Sequence, residues 1–530
     1  MRLATAAEMR RMDERAEKEF GLSRLLLMEN AGLSVVLAME RKFGTLEGKR
    51  VVLFCGRGGN GGDGFCAARH LVSHGASIAV GLIWSGEDLK GEARTNWEIL
   101  DKMAMTPREI KADSDLNWVR AACAAADLIV DALLGTGSRL PISGTMEQVV
   151  RAINESGKPV VAVDAPSGLD VDTGAVEGAC IRADLTVSLG LPKLGQVLYP
   201  GALYTGKLVV ADLTLPVSLI TDSSIGADIL LPEEAAELVP VRFPQVHKHE
   251  VGRALIVAGS RTMSGAAVLA SEGALIAGAG MVYLASPGSA LQVMSGRRPE
   301  ILLMPLAESP SGGVSEAALS TLTTACEKMH AVGLGPGLGL EDTTKRMSMK
   351  LYDGVSAPMV IDADALTALA GAAPAQSGSR GERVLTPHSQ EMARLLNTST
   401  QAVESSRPGS ARAAASRYNS VVVLKGARTI VAEPGGRLFV IPSGNQGLAS
   451  AGTGDVLTGV ITALLAQRLP ALSAAILGAY VHGLAGDLAR DAGCQLSVTA
   501  SDVVSFVPKA FKRLMSGSGG ASGAADGIRL

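Results

Sequence analysis

Phe, Trp and Tyr make up only 3 % of the 530 residues, and no basic block interleaves with them. The stacking platforms and the positive footprint of a nucleic-acid binder are therefore missing, and no nucleic-acid partner is expected. Cysteine is equally sparse. Cys55, Cys66, Cys123, Cys180, Cys326 and Cys494 are scattered and form no Cys-x-x-Cys pair. That argues against a zinc knuckle or disulfide framework and reads as reduced core residues in a reducing compartment. The first residues, Met1 to Arg11, carry no apolar signal segment. No uninterrupted apolar run is long enough to span a bilayer. A cytoplasmic protein without a membrane partner is expected. A Gly-x-x-x-x-Gly-Lys-[Ser/Thr] string is also absent, so any nucleotide is bound without a Walker loop.

What the chain does have is length, apolar residues and glycine. At 530 residues, with 47 % hydrophobic content and 62 glycines, it holds enough material for two α/β domains with glycine-rich ligand loops. The stretch Gly444–Gly459 is the most specific of these loops. Its first half is small and polar. From Asp455 it turns into a helix, because Val456, Leu457, Val460, Ile461, Leu464 and Leu465 repeat at the spacing of a buried helical face. Free amides and a positive dipole end suit a phosphate or a developing anion. An aspartate in the first turn could accept a proton. Together these are the parts needed for phosphoryl transfer to a hydroxyl. Gly-Thr-Gly-Asp alone could equally be a plain loop entering a helix.

In the first half, Thr5-x-x-Glu8 has the pattern of a capping box before a charged helix ending near Phe20. A helix over 25–43 and a buried strand over 51–55 follow. The turn Gly56–Gly64 comes next, then a helix through 67–74 and a strand over 77–82. Later strands are expected at 128–131, 160–164 and 185–189. Strand–helix alternation with acidic residues at strand ends points to a doubly wound parallel sheet, whose ligands sit at the C-terminal edge. Gly56–Gly61 matches the dinucleotide fingerprint, but the next strand ends at Trp84-Ser85 without the acidic residue that would hold a ribose. His70 and His74 lie four apart on a helix, with Leu71 where a zinc protease would have Glu. They read as the polar face of an amphipathic helix.

Four stretches carry more weight together. They are Leu27-Met28-Glu29-Asn30-Ala31-Gly32, Asn60–Gly64, Asp131-Ala132-Leu133-Leu134-Gly135-Thr136-Gly137 and Val163–Asp170. Over residues 1–220 this set resembles the NAD(P)H-hydrate epimerase family, of Rossmann-like three-layer fold. The resemblance implies a potassium ion held by Asn60, Asp131 and Ser167, whose oxygen ligands suit a hard cation. It implies substrate binding by Gly59, Asn60, Gly61, Gly62 and Asp63 and by Gly135, Thr136, Gly137, Ser138, Arg139, Leu140 and Pro141. Asp164 would meet the reacting ring as a catalytic residue. One departure is visible: the family usually has two asparagines in the glycine turn, and here the first is Gly59.

Prolines 216, 232, 240 and 244 interrupt the next segment, which holds a short helix near 231–238. A domain boundary is expected at 218–228, in exposed linker. Beyond it, His247-Lys248-His249 reads as a polar lead-in to a strand over 254–258. A small-residue helix from Ser264 and strands over 281–285, 330–333, 359–362, 383–385 and 421–425 follow. With Gly335–Gly339, Asp362–Leu366, Thr386-Pro387-His388, Lys425–Thr429 and Gly444–Gly459, residues 228–515 resemble the ADP-dependent NAD(P)H-hydrate dehydratases of ribokinase-like α/β fold. That resemblance implies that Ala266, Gly337, His388 and Asp455 face the hydrated nucleotide. It also implies that Lys425, Gly426, Ala427, Arg428, Thr429 and Gly454 hold ADP with Mg2+. Residues 516–530 are Ser/Gly-rich and read as a disordered tail.

The two resemblances make one chemical story. R and S hydrates of NADH and NADPH would be epimerised by the first domain, and the S form dehydrated by the second at the expense of ADP, giving NAD(P)H, AMP and phosphate. Asp455 would be the base. A homo-oligomer is expected. The alternative is an ATP-dependent kinase of a small alcohol joined to a non-catalytic N-terminal binding module.

Overall fold

A computed structural model of the chain describes residues 1–137, 140–294, 297–370 and 381–517. It falls into two compact units that divide between Ala227 and Asp228.

The N-terminal unit is built on Arg50–Cys55 (β1). Five of its six residues are buried, and Val, Leu and Phe give it the continuous apolar run of a strand covered on both faces. Ser77–Ile83 (β2), Arg108–Ile110 (β3), Leu128–Ala132 (β4), Val160–Val163 (β5), Leu185–Leu189 (β6) and Lys207–Ala211 (β7) complete a sheet of order β3-β2-β1-β4-β5-β6-β7. Every neighbouring pair is parallel. Val51, Leu53 and Cys55 face one core, packed under Ala6–Phe20 (α1), Arg24–Phe43 (α2), Gly59–Ser73 (α3) and Gly91–Lys102 (α4). Val52 and Phe54 face the other, under Leu116–Ala125 (α5) and Gly144–Glu155 (α6). This is the three-layer doubly wound sheet expected from the sequence. The strand order reverses between β1 and β4, so the loops after these two strands open side by side.

The C-terminal unit repeats the scheme with a different edge. Its strands are Arg253–Val257 (β8), Met281–Pro287 (β9), Ile301–Leu306 (β10), Ala331–Leu334 (β11), Met359–Ile361 (β12), Arg383–Leu385 (β13), Val421–Leu424 (β14), Ile430–Ala432 (β15) and Leu438–Val440 (β16). They run in the order β16-β15-β14-β13-β12-β11-β8-β9-β10, with the short strand Ala227–Ile229 beside β16. Pairs from β10 to β14 are parallel, and β14–β15–β16 are antiparallel. Ser264–Ile276 (α7) and Thr453–Ala466 (α9) cross in close contact. A Cβ on Gly459 would lie 2.0 Å from the Ala270 carbonyl oxygen, so only glycine admits this approach. Ser389–Leu396 (α8), Ala471–Ala492 (α10) and Ala500–Gly517 (α11) are the other helices used below.

Several local expectations need correction. The glycine turn after β1 is mostly helix: α3 starts at Gly59, and its first turn packs on the strand end. A Cβ on Gly61 would sit 1.8 Å from the Gly56 carbonyl oxygen. The segment expected as exposed linker holds the short helix Val217–Ile220, and Leu219 and Ile225 are buried in the N-terminal core. Apolar side chains tie it down despite the prolines. The sequence pattern did not suggest β3, β7, β10, β15 or β16. β3 has only three residues, and β10 is an edge strand carrying Pro305, which a proline tolerates only at an edge. Ala471–Ala492 is, among the described residues, a helix long and apolar enough to cross a bilayer by length and composition, with Asp487 and Arg490 breaking its run. It lies in the domain core, 72 % buried over its most apolar window. Five cysteines are buried, but Cys494 is exposed. Helix α11 runs to Gly517, and the rest of the expected tail lies outside the described residues.

Candidate active sites

In the N-terminal unit the loops after β1, β4 and β5 open into a cavity of about 1500 Å³. Asp164 follows β5 with a left-handed φ of 64°, a conformation Asp tolerates better than most residues. Its carboxylate is ion-paired to Lys193, which is 1 % exposed. The Lys193 ammonium also donates to Ser188 Oγ (3.2 Å) and the Leu189 carbonyl (3.0 Å). Leu189 N donates to Asp164 Oδ1 (3.2 Å), and the Gln196 amide holds the Asp164 carbonyl at 2.6 Å. A residue whose carboxylate, carbonyl and φ are all fixed is a positioned group. Asp63 on α3 and Asp13 on α1 line the same cavity. Burial pushes the Asp63 carboxyl well above its usual range, and the Asp164 and Asp13 charges push the same way.

Beneath this cavity Ser167 Oγ donates to Asp131 Oδ1 (2.7 Å) and accepts from Leu134 N (2.9 Å). Ser167 N and Leu133 N donate to the two oxygens of Asp131 (2.8 and 3.1 Å). Asn60 Nδ2 donates to the Leu134 carbonyl at 3.0 Å, which leaves Asn60 Oδ1 buried without a partner. Asp131 is fully buried, and that burial raises its carboxyl to about 6 against the pull of the Ser167 and Leu133 donors. An orphaned amide oxygen, a hydroxyl and one buried carboxylate are the donor set of a hard, singly charged cation.

In the C-terminal unit Asp455 is the third residue of α9. That helix begins at Thr453, two residues earlier than expected, because Gly452 at φ 87° turns the chain and His482 Nε2 ties the Thr453 carbonyl at 2.9 Å. Lys425 Nζ reaches Asp362 Oδ1 at 2.8 Å and Glu391 Oε2 at 3.8 Å. The other Asp362 oxygen accepts from Thr458 Oγ1 at 2.7 Å, on the next turn of α9. Burial raises the Asp455 carboxyl to about 7, and Asp362 adds to this while Lys425 opposes it. Burial works against the Lys425 ammonium, but Asp362, Glu391 and Asp455 hold it above its ordinary value. Gly454 borders this lysine: a Cβ there would stand 3.5 Å from Nζ.

Across its length the chain matches known sequences. Residues 254–509 match the family described as NAD(P)H-hydrate dehydratase, and residues 24–195 match the one described as YjeF-related protein N-terminus. The bifunctional NAD(P)H-hydrate repair enzyme Nnr of Moorella thermoacetica is 42 % identical over 515 residues, covering 97 % of both chains. That of Thermofilum pendens is 40 % identical over 514 residues, again covering 97 % of both. The chain belongs to the bifunctional NAD(P)H-hydrate repair enzymes. Among solved structures, an ADP/ATP-dependent NAD(P)H-hydrate dehydratase from Bacillus subtilis, co-crystallised with ATP and Mg2+, is 27 % identical. It covers 54 % of this chain and 98 % of its own, with a TM-score of 0.48. Relatives that match end to end do not favour the alternative of a small-alcohol kinase joined to a non-catalytic module.

For this repair enzyme the expected residues divide cleanly by place. Gly59, Asn60, Asp63, Gly135, Thr136, Gly137, Pro141 and Asp164 line the N-terminal cavity, while Gly61 and Gly62 are buried and Leu140 is not part of the lining. Asp131 and Ser167 meet below it. Ser138 and Arg139 lie outside the described residues. Ala266 and Gly337 adjoin: a Cβ on Gly337 would lie 3.0 Å from that of Ala266. His388 caps α8, its Nδ1 accepting from Gln390 N (3.1 Å) and Glu391 N (3.3 Å), while its Nε2 stands 3.5 Å from Glu391 Oε1. Lys425–Thr429 is the turn of the hairpin β14–β15, with Arg428 at φ 58° and its Nη1 2.6 Å from the Pro442 carbonyl.

Lys193, Asp362 and Glu391 were missed by sequence reasoning. Asp362 lay inside a string already singled out, and Glu391 stands three residues beyond Thr386-Pro387-His388. Lys193 sits in Gly190-Leu191-Pro192-Lys193, where nothing local marks a buried charge. His70 and His74 pair with Glu29 (2.9 Å) and Glu40 (3.0 Å). Glu29, Cys66 and His70 bring possible ligand atoms within 4.8 Å of one another, but Arg69 already bonds Glu29 (2.5 Å) and Cys66 (3.2 Å) and supplies the cation there.

Proposed function

We propose that the chain repairs hydrated NADH and NADPH, with Asp164 acting in the epimerase unit and Asp455 as the base of the dehydratase unit. The observation that carries the reading is Asp455. It stands at a helix N-terminus with its carboxyl poised near neutrality, beside a lysine already engaged by Asp362. A base works best when its pKa lies near the working pH.

Asp455 takes the proton of the ring hydroxyl, and that oxygen attacks the terminal phosphoryl of ADP, with AMP leaving. The amides at the start of α9 and the Lys425 ammonium face the charge that develops on the transferring group. Phosphate then departs from the ring carbon with its electron pair, the neighbouring carbon loses a proton, and the double bond of the reduced cofactor returns. Lys425–Thr429 and Gly454 hold ADP, which arrives with Mg2+, while Ala266, Gly337 and His388 line the side of the hydrate.

In the N-terminal unit, Asn60, Asp131 and Ser167 would hold a potassium ion. Its charge would compensate the buried Asp131 carboxylate and brace the loops on which Gly135 and Asp164 stand. The cavity binds the hydrate through the start of α3 and the Gly135–Pro141 segment. The buried free cysteines support a reducing, cytoplasmic setting.

The test is to incubate the protein with mixed R and S hydrates, with and without ADP, and to follow absorbance of the reduced ring. With ADP both epimers should be consumed and AMP should appear. Without ADP the R:S ratio should relax and no reduced ring should form. A phosphorylated alcohol accumulating without reduced ring would overturn the reading.

A further inference from the structure

The N-terminal cavity holds more acid–base equipment than Asp164. Helix α1 turns one face toward it: Met9, Arg10, Asp13 and Glu14 all line the cavity. The Thr5–Glu8 capping box fixes where that helix starts. Asp13 makes no hydrogen bond or ion pair with any described residue. Asp164, by contrast, is ion-paired to Lys193. One carboxyl is bound and oriented, and the other is free in the same space.

We propose that Asp13 is a second catalytic residue of the epimerase site, giving a proton to the departing hydroxyl while Asp164 takes the proton of the water that returns. This rests on the reading that the cavity is the epimerase site. Water added across an enamine puts the hydroxyl on the carbon bonded to the ring nitrogen. The C–O bond breaks, the nitrogen lone pair forms a C=N bond, and the hydroxyl leaves as water with the proton from Asp13. Water then adds to the same carbon from the opposite face, the electron pair returns to nitrogen, and the extra proton goes to Asp164. Proton exchange with solvent resets both groups, and the reverse epimerisation uses them with roles exchanged.

The environment matches the assignment. Burial lifts the Asp13 carboxyl to about 6; Lys193 opposes this, Asp164 adds to it and Arg24 opposes. Arg10, Glu14, Arg57, Asp88, Glu92 and Lys111 are the other charged groups lining the cavity, with Asp63 on α3. An acid near 6 both holds a proton and releases it at neutral pH. Asp63 is the less suitable acid, because burial and the Asp164 and Asp13 charges push its carboxyl well above its usual range, so it gives up its proton less readily. Carboxyls driven apart by their surroundings are the usual way one site supplies both an acid and a base.

The experiment uses the full chain, with Asp13→Asn, Asp13→Glu and Asp164→Asn, on mixed hydrates in water enriched in oxygen-18. D13N should lose roughly 10²-fold in epimerisation. It should also lose the limb of the kcat/KM profile that falls as pH rises through about 6, and D13E should restore that limb in part. Oxygen-18 should enter the ring hydroxyl at the epimerisation rate. ADP-dependent turnover of pure S hydrate, in the other unit, reports folding. Wild-type epimerisation and an unchanged pH limb in D13N, with D164N inactive, would overturn the role of Asp13 alone. Epimerisation without oxygen-18 uptake would overturn it too, since the hydroxyl would never have left. Full activity in D164N would overturn the site itself.

Discussion

Each unit sets an aspartate at the end of a parallel strand against a lysine, but the lysines are spent differently. After β5, Asp164 takes the Lys193 ammonium and is itself the group facing the cavity. After β12, Asp362 takes Lys425, and its other oxygen takes Thr458. Asp455 is left beside a cation that is already engaged, and burial with the Asp362 charge raises it to about 7. The same pair therefore fixes the cavity-facing carboxylate in one unit and, in the other, leaves a neighbouring carboxyl raised. The proposed cations would differ in kind as well. In the N-terminal unit Asp131 is held by Ser167 and Leu133 donors, and potassium would supply the positive charge, whereas Lys425 supplies it beside Asp362 in the C-terminal unit.

The sharpest way to break this comparison is Asp455→Asn. It keeps shape and the helix start but removes the base, so ADP-dependent dehydration should fall by roughly 10²–10⁴-fold while R/S interconversion persists. In the wild-type protein, kcat/KM for dehydration should rise with pH through about 7, because the base must be unprotonated. The linkage has the opposite sign. A carboxyl raised from its ordinary 3.8 to about 7 binds its proton more tightly in the folded state. Its contribution to stability is fully present below 3.8 and is lost as pH rises to about 7. D455N should flatten that decline in a denaturant series. Unchanged dehydration in the variant would remove Asp455 from the chemistry.

The place of Asp455 in a helix's first turn was legible because Gly452–Asp455 is one continuous string whose helix announces itself by apolar spacing. The two α/β sheets were legible for the same reason: strands such as Val51–Cys55 and Val421–Leu424 are uniformly apolar. What escaped was long-range or weakly patterned. Lys193 meets Asp164 across 29 residues, and its buried charge makes sense only beside that partner. The glycines of α3 read as a turn because helix propensity disfavours them, and packing on the strand end overrides propensity. The edge strands β3 and β10 are too short or too proline-marked to stand out from loops.

A smaller effect separates the two units by their cations. Replacing potassium with tetramethylammonium at equal ionic strength should slow epimerisation on the order of tenfold, about 1.4 kcal/mol, and leave dehydration of pure S hydrate nearly unchanged. Amide exchange at Leu133 and Leu134, whose N–H groups bond Asp131 and Ser167, should quicken with it. Indifference of both readouts to the swap would sink the potassium site.

The smallest effect tests the one departure within the glycine turn. Gly59 opens α3 and lines the cavity, and a Cβ there would meet nothing within 4 Å. Its backbone has no left-handed φ, so a side chain costs no strain. Gly59→Asn should therefore fold normally and place an amide where the hydrate binds. One added neutral hydrogen bond is worth about 0.5–1.5 kcal/mol, so KM for epimerisation should fall by roughly 2- to 10-fold with kcat little changed. Dehydration, in the other unit, should not respond. If KM stays put while the thermal midpoint is unchanged, the start of α3 touches the substrate through backbone alone, and glycine at this position costs the enzyme nothing. A rise in KM would mean that the open space beside Gly59 is already filled by the bound nucleotide.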